Sequence, residues 1–344
     1  MKIVLVGNYT AFWHEAAWVR ALRELGHEVY PLEIVKQFRS PIEKLQFRFK
    51  YGPRVRWVNN YIKKTVYEIQ PDIVICYRTL TLYVSTVDAI RRNSSSLLVC
   101  YNNDNAFSPR ARLRTWRYFR EAIPHYHLHL VFRHSDIPNY KKAGVESVYM
   151  LRHHYLPWLH KKVDLNDKDR SFWKSDIGFF GHCEPDIRLE QMASLMQRVP
   201  AKYRLHGSNW DKHSKGRPWR GMDTHEIQGE EYVKGISTTK IALCFLSRFQ
   251  NLDTYTTRCF EIPACGTMML SQRTDDLLTL YDEDKEAVFF DSVDELIDKA
   301  SFYLRNDDLR REIAEAGWKR CMSSGYDIHS RMREWIAIVE MMLK

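Results

Sequence analysis

The stretch DTYTTRCFEIPACG, residues 253–266, lies between two apolar runs, IALCFL (241–246) and TMMLS (267–271). The apolar runs have the length and composition of buried strands. Asp253 lies eight positions before Glu261, with Arg258 between them, and we expect the small residues A-C-G to open a helix. Carboxylates accept hydrogen bonds from sugar hydroxyls, whereas an arginine and backbone N–H groups hold phosphate. The stretch therefore suits a pocket for a nucleotide sugar.

Outward from this stretch, apolar runs alternate with segments of helical periodicity. The predicted strands cover residues 2–7, 27–32, 73–77, 97–101, 128–132, 147–151, 176–181, 203–207, 241–246, 267–271 and 287–291. The predicted helices cover residues 13–25, 59–68, 82–92, 113–122, 136–143, 189–198, 230–236, 292–304, 307–320 and 327–343. Such alternation predicts an α/β protein with parallel sheets covered on both faces.

The motif resembles the signature of GT-B-type glycosyltransferases, in which two glutamates eight positions apart precede a run such as A-C-G. The form R-C-F-E-I-P-A-C-G is similar to the spore-maturation, CgeB-like branch, with a C-terminal domain like that of glycosyltransferase group 1. The resemblance is tightest over residues 253–321. It implies two Rossmann-like domains facing across a cleft. It also implies that Glu261 holds the ribose hydroxyls and that Asp253, one methylene shorter than the family's glutamate, faces the donor sugar or its phosphates.

Residues 153–171 change character, with a proline, a basic cluster and the polar run DLNDKDR. We therefore expect an N-terminal, acceptor-binding domain over residues 1–155, a linker over 156–172 and a nucleotide-sugar-binding domain over 173–325. The resemblance implies that the last segment, 326–344, is a helix that crosses back onto the first domain.

Composition is that of an ordinary globular protein. The chain has 344 residues, of which 44% are hydrophobic and 28% are charged, a length that suits two domains. The apolar runs are far shorter than the ~20 residues that span a bilayer, and the N-terminus is typical of a first strand and not of a signal peptide. The seven scattered cysteines include no C-x-x-C pair, which indicates reduced thiols and a cytoplasmic location.

The donor side is predicted around the motif. Arg258 would neutralise the diphosphate, and Ala264, Cys265 and Gly266 would let the backbone approach the nucleotide. Each position also has a structural interpretation: Glu261 as a carboxylate that favours a helix dipole, Asp253 as a turn residue or cap, and Arg258 as a surface ion pair.

A second group of donor residues follows two strands of the second predicted domain, because open α/β sheets bind ligands at strand C-termini. Gly181 and His182 come after the first of these strands, and Arg188 opens the next helix. In the family this glycine loop faces the donor phosphates. Trp210 follows the next strand and could stack on the base, with core packing as its alternative role.

The first predicted domain should supply the acceptor side. Its candidate contacts at strand C-termini are Gly7, Asn8, Asn102 and Asn103. If the enzyme inverts configuration, Asp104 or His14 would act as the catalytic base. Asp104 is otherwise a turn residue. If the enzyme retains configuration, the leaving phosphate could serve instead.

No bound metal and no cofactor are expected. The histidines at positions 125, 127 and 129 have no cysteine or carboxylate that completes a standard ligand pattern. The sequence also has no D-x-D motif, and GT-B-type enzymes generally work without a divalent ion.

A basic and aromatic stretch departs from the balance of the chain, whose net charge is +9. Between positions 36 and 64 there is a single acid, Glu43, against nine basic residues: Lys36, Arg39, Lys44, Arg48, Lys50, Arg54, Arg56, Lys63 and Lys64. Such a surface suits a peripheral contact with an anionic membrane at the inner face. The alternative is an ordinary solvated face.

Three functions are left open. The first is a metal-independent glycosyltransferase that moves a sugar from a nucleoside diphosphate sugar to a glycan, lipid-linked or small-molecule acceptor. The second is a nucleotide-sugar 2-epimerase on the same fold. The third is a non-catalytic protein that binds polyanions or a membrane; nucleic acid is not the expected partner.

Overall fold

The computed structural model describes residues 1–248 and 253–343. It divides into two compact units, Met1–Arg152 with Ile328–Lys344, and His153–Asp327. Residues 249–252 of the predicted second domain, and the final residue of the predicted C-terminal helix, lie outside the described residues. The exact domain boundaries given above stay predictions.

The first unit is built on a six-stranded parallel sheet in the order β2-β1-β3-β4-β5-β6. Its central strands are continuous apolar runs, as expected for strands buried on both faces; the side chains of Ile3 to Val6 are fully buried. The strands are β1 (Lys2–Gly7), β2 (Glu28–Glu33), β3 (Ile73–Tyr77), β4 (Leu97–Asn102), β5 (Leu128–Val131) and β6 (Val148–Met150).

Helices connect these strands and cover the sheet. They are α1 (Glu15–Glu24), α2 (Pro41–Phe49), α3 (Pro53–Ile69), α4 (Val84–Asn93), α5 (Leu113–Ala122) and α6 (Ile137–Lys142). A further helix, α14 (Ile328–Leu343), also belongs to this unit and packs on α1. The rings of Trp18 and Trp335 stack with centroids 6.1 Å apart, and both side chains are buried.

The second unit has a five-stranded parallel sheet in the order β11-β10-β9-β7-β8. Its strands are β7 (Ser175–Phe180), β8 (Tyr203–His206), β9 (Thr239–Cys244), β10 (Met268–Gln272) and β11 (Val288–Phe290). Its helices are α7 (Asp167–Trp173), α8 (Arg188–Arg198), α9 (Gly229–Ser237), α10 (Arg258–Ala264), α11 (Asp275–Leu280), α12 (Val293–Arg305) and α13 (Asp307–Ser323). The two parallel sheets with their crossover helices confirm the prediction of two Rossmann-like α/β domains.

Three helices were not expected from the sequence. Helix α2 begins at a capping box in which Ser40 and Glu43 satisfy each other's backbone N–H groups. Helix α7 lies in the predicted linker, where Asn166 caps it and Asp169 pairs with Lys234 of α9. Helix α11 has only six residues. All three are shorter than the window of about 11 residues over which apolar periodicity is a dependable signal.

Within residues 1–248 and 253–343, no helix combines the length and the apolar character needed to cross a bilayer.

Candidate active site

The loops that follow β7 and β8 lie against each other at the carboxyl edge of the second sheet. The N–H of Gly181 donates to the carbonyl of His206 over 2.8 Å. Gly207 has a φ of +150°, and a Cβ there would lie 2.1 Å from the carbonyl oxygen of Gly181. Only glycine fits such an approach, so Gly207 fixes the position of the Gly181–His182 loop.

Arg258, the first residue of α10, reaches this loop. One of its Nη atoms donates to the carbonyl of Phe245 over 2.9 Å, and the guanidinium lies 5.2 Å from the ring centre of Phe179. A Cβ on Gly181 would lie 2.7 Å from Nη1. Among the described residues, nothing accepts a hydrogen bond from the buried Nε–H. The structure therefore brings Gly181 and Arg258 together and places a positive group beside the loop.

Glu261 lies one turn further along α10. Its Oε2 accepts a hydrogen bond of 2.6 Å from the hydroxyl of Tyr232, and its Oε1 lies 3.9 Å from Nε2 of His160. Burial, and then the neighbouring charge of Glu261, raise the pKa of Tyr232 well above its ordinary value, so the hydroxyl stays protonated and donates. The carboxylate is 12% exposed and still has free lone pairs.

His160 is held in one orientation next to this carboxylate. Its Nδ1 accepts a hydrogen bond from the backbone N–H of Leu156 over 3.0 Å, which leaves Nε2 directed to Glu261. Burial lowers the pKa of His160, and the nearby Glu261 opposes that effect. Neither His160 nor Tyr232 was predicted from the sequence. Neither belongs to the motif, and only the fold brings them to Glu261.

The prediction that Arg188 contacts the donor does not fit its surroundings. Its side chain is 2% exposed and donates to the carboxylates of Glu184 and Asp186 at 3.1 Å and 3.0 Å. It also donates to the carbonyls of His182 and Leu246. Its donors are directed at protein acceptors, so Arg188 joins the loop after β7 to the segment after β9.

Glu184 completes this network. Burial alone would raise its pKa, but hydrogen bonds from His182 and Ser247 and the charge of Arg188 together lower it to about 2. Glu184 is therefore an anion at any physiological pH. The side chain of His182 is 58% exposed, and hydrogen bonds from Arg188 and Trp210 hold the loop that carries it. Within residues 1–248 and 253–343, nothing accepts from its backbone N–H.

Trp210 is not available for base stacking. Its side chain is fully buried in the core of the second unit, with its ring against Phe179 and Trp219. Its indole N–H donates to the carbonyl of Gly181 over 2.8 Å. A fully covered ring offers no face to a base, so Trp210 supports the glycine loop from beneath.

The A-C-G run ends helix α10 and does not open it, which corrects the prediction for these three residues. Ala264 is the last helical residue and is fully buried, and Cys265 is nearly so. Gly266 has a φ of +78°, the left-handed conformation that closes many helices. The N–H groups of Cys265 and Gly266 donate to carbonyls of α10 and are not directed at a ligand.

Asp253 lies at the start of the loop that leads into α10. The residue is 8% exposed, and its N–H donates to the carbonyl of Ser247 over 2.8 Å. Asp253 therefore stands next to the segment that Arg188 fixes, in the part of the sheet edge where β9 ends.

The first unit also collects polar groups at the carboxyl edge of its sheet. Asp104 follows β4 and forms an ion pair of 2.6 Å with Arg78, which follows β3. His14 precedes α1, and its Nδ1 lies 3.2 Å from the hydroxyl of Tyr77. Burial, and then the charge of Arg78, lower the pKa of His14 to about 4. Both predicted bases are thus near Arg78, and His14 is neutral at pH 7.

The other predicted acceptor residues of this unit are occupied by internal contacts. The N–H of Asn8 donates to Glu15 over 2.9 Å, and a Cβ on Gly7 would clash with the same side chain. Asn102 is buried, and its amide donates to the carbonyl of Asp104 over 2.7 Å. The carbonyl of Asn103 accepts from Arg133. These contacts shape the loops that carry His14 and Asp104.

One group in the second unit has the residue types of a metal site. Ligand atoms of His206, Asp223 and His225 lie within 4.8 Å of one another. However, Nδ1 of His225 pairs with Asp223 over 2.6 Å, and Arg204 approaches Nε2 of His206 at 3.3 Å. The guanidinium charge opposes a cation at this nitrogen. Metal independence stays a prediction.

Comparison with known proteins gives a family match for part of the chain. Residues 188–337 match the family described as "Glycosyl transferase-like". The matched residues include most of the second unit and the beginning of α14. The match covers β8 to β11, the Arg258–Glu261 pair and the first part of α14, and it confirms glycosyltransferase as the predicted enzyme class. A search of curated protein sequences gives no significant match.

Solved structures agree with the fold. Anabaena Alr3699/HepE in complex with UDP-glucose is 11% identical, with a TM-score of 0.68 and 99% of each chain covered. Sucrose-phosphate synthase from Thermosynechococcus elongatus is 10% identical, with a TM-score of 0.71 over 99% of each chain. A Listeria monocytogenes protein provisionally assigned as a UDP-N-acetylglucosamine 2-epimerase is 12% identical, with a TM-score of 0.57 over 98% of this chain and 95% of that one. At such identities the likeness concerns the fold, which is of the GT-B type.

Proposed function

We propose that this protein transfers a sugar from a nucleoside diphosphate sugar to an acceptor, without a bound divalent ion. The observation that carries the proposal is the arrangement at the carboxyl edge of the second sheet. A carboxylate with free lone pairs, Glu261, and a cation that reaches the glycine loop, Arg258, lie one helical turn apart on α10. This pairing suits the two ends of a nucleoside diphosphate, its ribose and its phosphates.

In the proposed complex Glu261 accepts hydrogen bonds from both ribose hydroxyls, and Tyr232 and His160 orient its carboxylate. Arg258 and the N–H of His182 hold the diphosphate and stabilise the charge that develops on it as it leaves. Asp253 faces the transferred sugar. Arg188 and Trp210 act indirectly, because they hold the loop that carries His182.

On the first unit, we propose that Asp104 and His14 approach the acceptor hydroxyl. His14, neutral at pH 7, could accept a proton, whereas Asp104 would have to exchange its ion pair with Arg78 for the acceptor. If the reaction retains configuration, neither group need act as a base. The proposed acceptor is a glycan or a lipid-linked molecule, the proposed branch is CgeB-like, and the proposed location is the cytoplasm.

Uridine nucleotides are the first probes, because the Anabaena protein was crystallised with UDP-glucose. Isothermal titration calorimetry with UDP should give binding that Glu261→Gln weakens about a hundredfold, since one acceptor oxygen is replaced by an NH2 donor and the other loses its charge. Glu312→Gln, an exposed glutamate of α13, is the matched control and should bind as the wild type does. Equal affinities for a folded Glu261→Gln variant and the wild type would refute the ribose assignment.

The second candidate is a nucleotide-sugar 2-epimerase, which the fold of the Listeria protein also allows. Incubation with UDP-N-acetylglucosamine alone separates the two activities. An epimerase converts this donor to its 2-epimer without any acceptor, whereas a transferase leaves it intact or hydrolyses it slowly. Chromatography of the sugar nucleotide reports which of these occurs.

A further inference from the structure

Helix α2 carries apolar side chains on its outer face. Ile42, Leu45 and Phe49 are 71%, 51% and 39% exposed, and their spacing of three and four residues places them on one stripe. The opposite face supplies Phe47, whose ring packs on the buried Phe38 with centroids 5.0 Å apart. The helix is therefore anchored to the unit by one apolar face and presents a second one outward.

The start of α5 extends this outer face. Leu113 is 73% exposed, and the guanidinium of Arg114 lies 4.0 Å from the ring centre of Phe49. Between the two helices an open groove of about 690 Å³ is lined by residues that include Leu45, Phe49 and Tyr118. We call this region, formed by Ile42, Leu45, Phe49, Leu113 and Arg114, the α2 surface.

Basic side chains surround the α2 surface. Lys44, Arg48 and Arg112 are exposed, and within residues 1–248 and 253–343 no carboxylate lies within 4.0 Å of their charged groups. Glu43, the acid of this stretch, is held by the capping box and by Arg54. The positive charge at this surface is therefore not neutralised by the protein itself.

We propose that the α2 surface docks on an anionic phospholipid bilayer. Aliphatic and aromatic side chains would enter the boundary between head groups and acyl chains, while the surrounding cations contact lipid phosphates. A single-stranded nucleic acid would use the cations, but its bases stack on aromatic side chains, whereas most of the exposed apolar residues here are the aliphatic Ile42, Leu45 and Leu113. This inference does not rest on the proposed transfer reaction.

Sedimentation with vesicles of phosphatidylcholine and phosphatidylglycerol tests the proposal. The wild type should partition to vesicles with 30% phosphatidylglycerol at least tenfold more strongly than to pure phosphatidylcholine vesicles. Ile42→Asp combined with Leu45→Asp should reduce the partition coefficient at least tenfold. Lys44→Gln and Arg48→Gln should each reduce it by about fivefold, the effect of one cation near a charged surface.

Leu278→Asp is the matched control, because Leu278 is similarly exposed, at 42%, on α11 of the second unit. It should leave partitioning unchanged, and all variants should keep the circular dichroism spectrum of the wild type. The proposal is overturned if the wild type does not sediment with anionic vesicles. It is also overturned if the double aspartate variant sediments as the wild type does, which would place the vesicle contact elsewhere on the protein, or if Leu278→Asp loses as much.

Discussion

Replacement of Arg188 by methionine should destabilise the protein more than any surface substitution. Methionine keeps much of the volume but removes five hydrogen bonds of 2.9–3.3 Å, to Asp186 twice, Glu184, and the carbonyls of His182 and Leu246. The partner carboxylates are only 14% and 6% exposed. Breaking a buried ion pair by removing one member costs roughly 3–5 kcal/mol, since the remaining charge is buried without compensation.

Urea denaturation of the full chain, followed by circular dichroism, measures this loss. Arg188→Lys should lose about half as much, because an ammonium keeps the charge but cannot reproduce the planar fork. Arg198→Met is the matched control on the same helix. Arg198 is 53% exposed and pairs with Asp294, and exposed ion pairs contribute less than about 1 kcal/mol.

A free energy of unfolding of Arg188→Met within about 1 kcal/mol of the wild type would contradict this structural role of Arg188. A stable variant that had lost only its UDP affinity would restore the role first predicted for Arg188, direct contact with the donor. Calorimetry with UDP on the folded Arg188→Lys variant separates these outcomes. A purely internal role predicts that this variant loses stability but only a modest part of its UDP affinity.

Three further predictions concern single groups of the two sites. Gly181→Ala should weaken UDP binding about tenfold in calorimetry with little change in melting temperature, because its Cβ would displace the Arg258 guanidinium; unchanged affinity contradicts this. Tyr232→Phe should lower the free energy of unfolding by about 1–3 kcal/mol in urea, since Glu261 loses a charge-assisted hydrogen bond, and a stabilised variant would contradict the assigned donor. The pKa of His14 is lowered to about 4 in the folded chain, whereas an unperturbed histidine has a pKa of about 6.5. The His14 imidazole is therefore neutral in both states at pH values well above 6.5. As the pH falls towards 4, this imidazole is protonated in the unfolded chain before it is protonated in the folded chain. Stability should therefore fall over this window, and His14→Gln should flatten the profile of melting temperature against pH.

The strands could be predicted from the sequence because each is a short apolar run bounded by turn residues. The run KIVLVG coincides with β1, and IVICY coincides with β3. The predicted end of β9 was two residues too late: Phe245 and Leu246 are fully buried but already lie beyond the strand. Apolar runs report burial, and buried loop residues look the same in a sequence.

The site was only partly accessible to such reasoning. Glu261 and Arg258 were found because they belong to a local motif. Trp210 and Arg188 were placed at the correct loops, but their side chains turn inward, and the local sequence does not reveal which way a side chain points. Tyr232 and His160 lie 29 and 101 positions before Glu261, so only tertiary contacts identify them.

The position of α14 has a consequence for biosynthesis. This helix belongs to the first unit, yet the ribosome makes it only after all of the second. Until α14 is made, Trp18 lacks the Trp335 ring that stacks on it in the folded protein. The nascent first unit therefore exposes an apolar side chain while the second unit is synthesised and folds. The first unit should therefore begin to fold before the second unit and complete its fold after it.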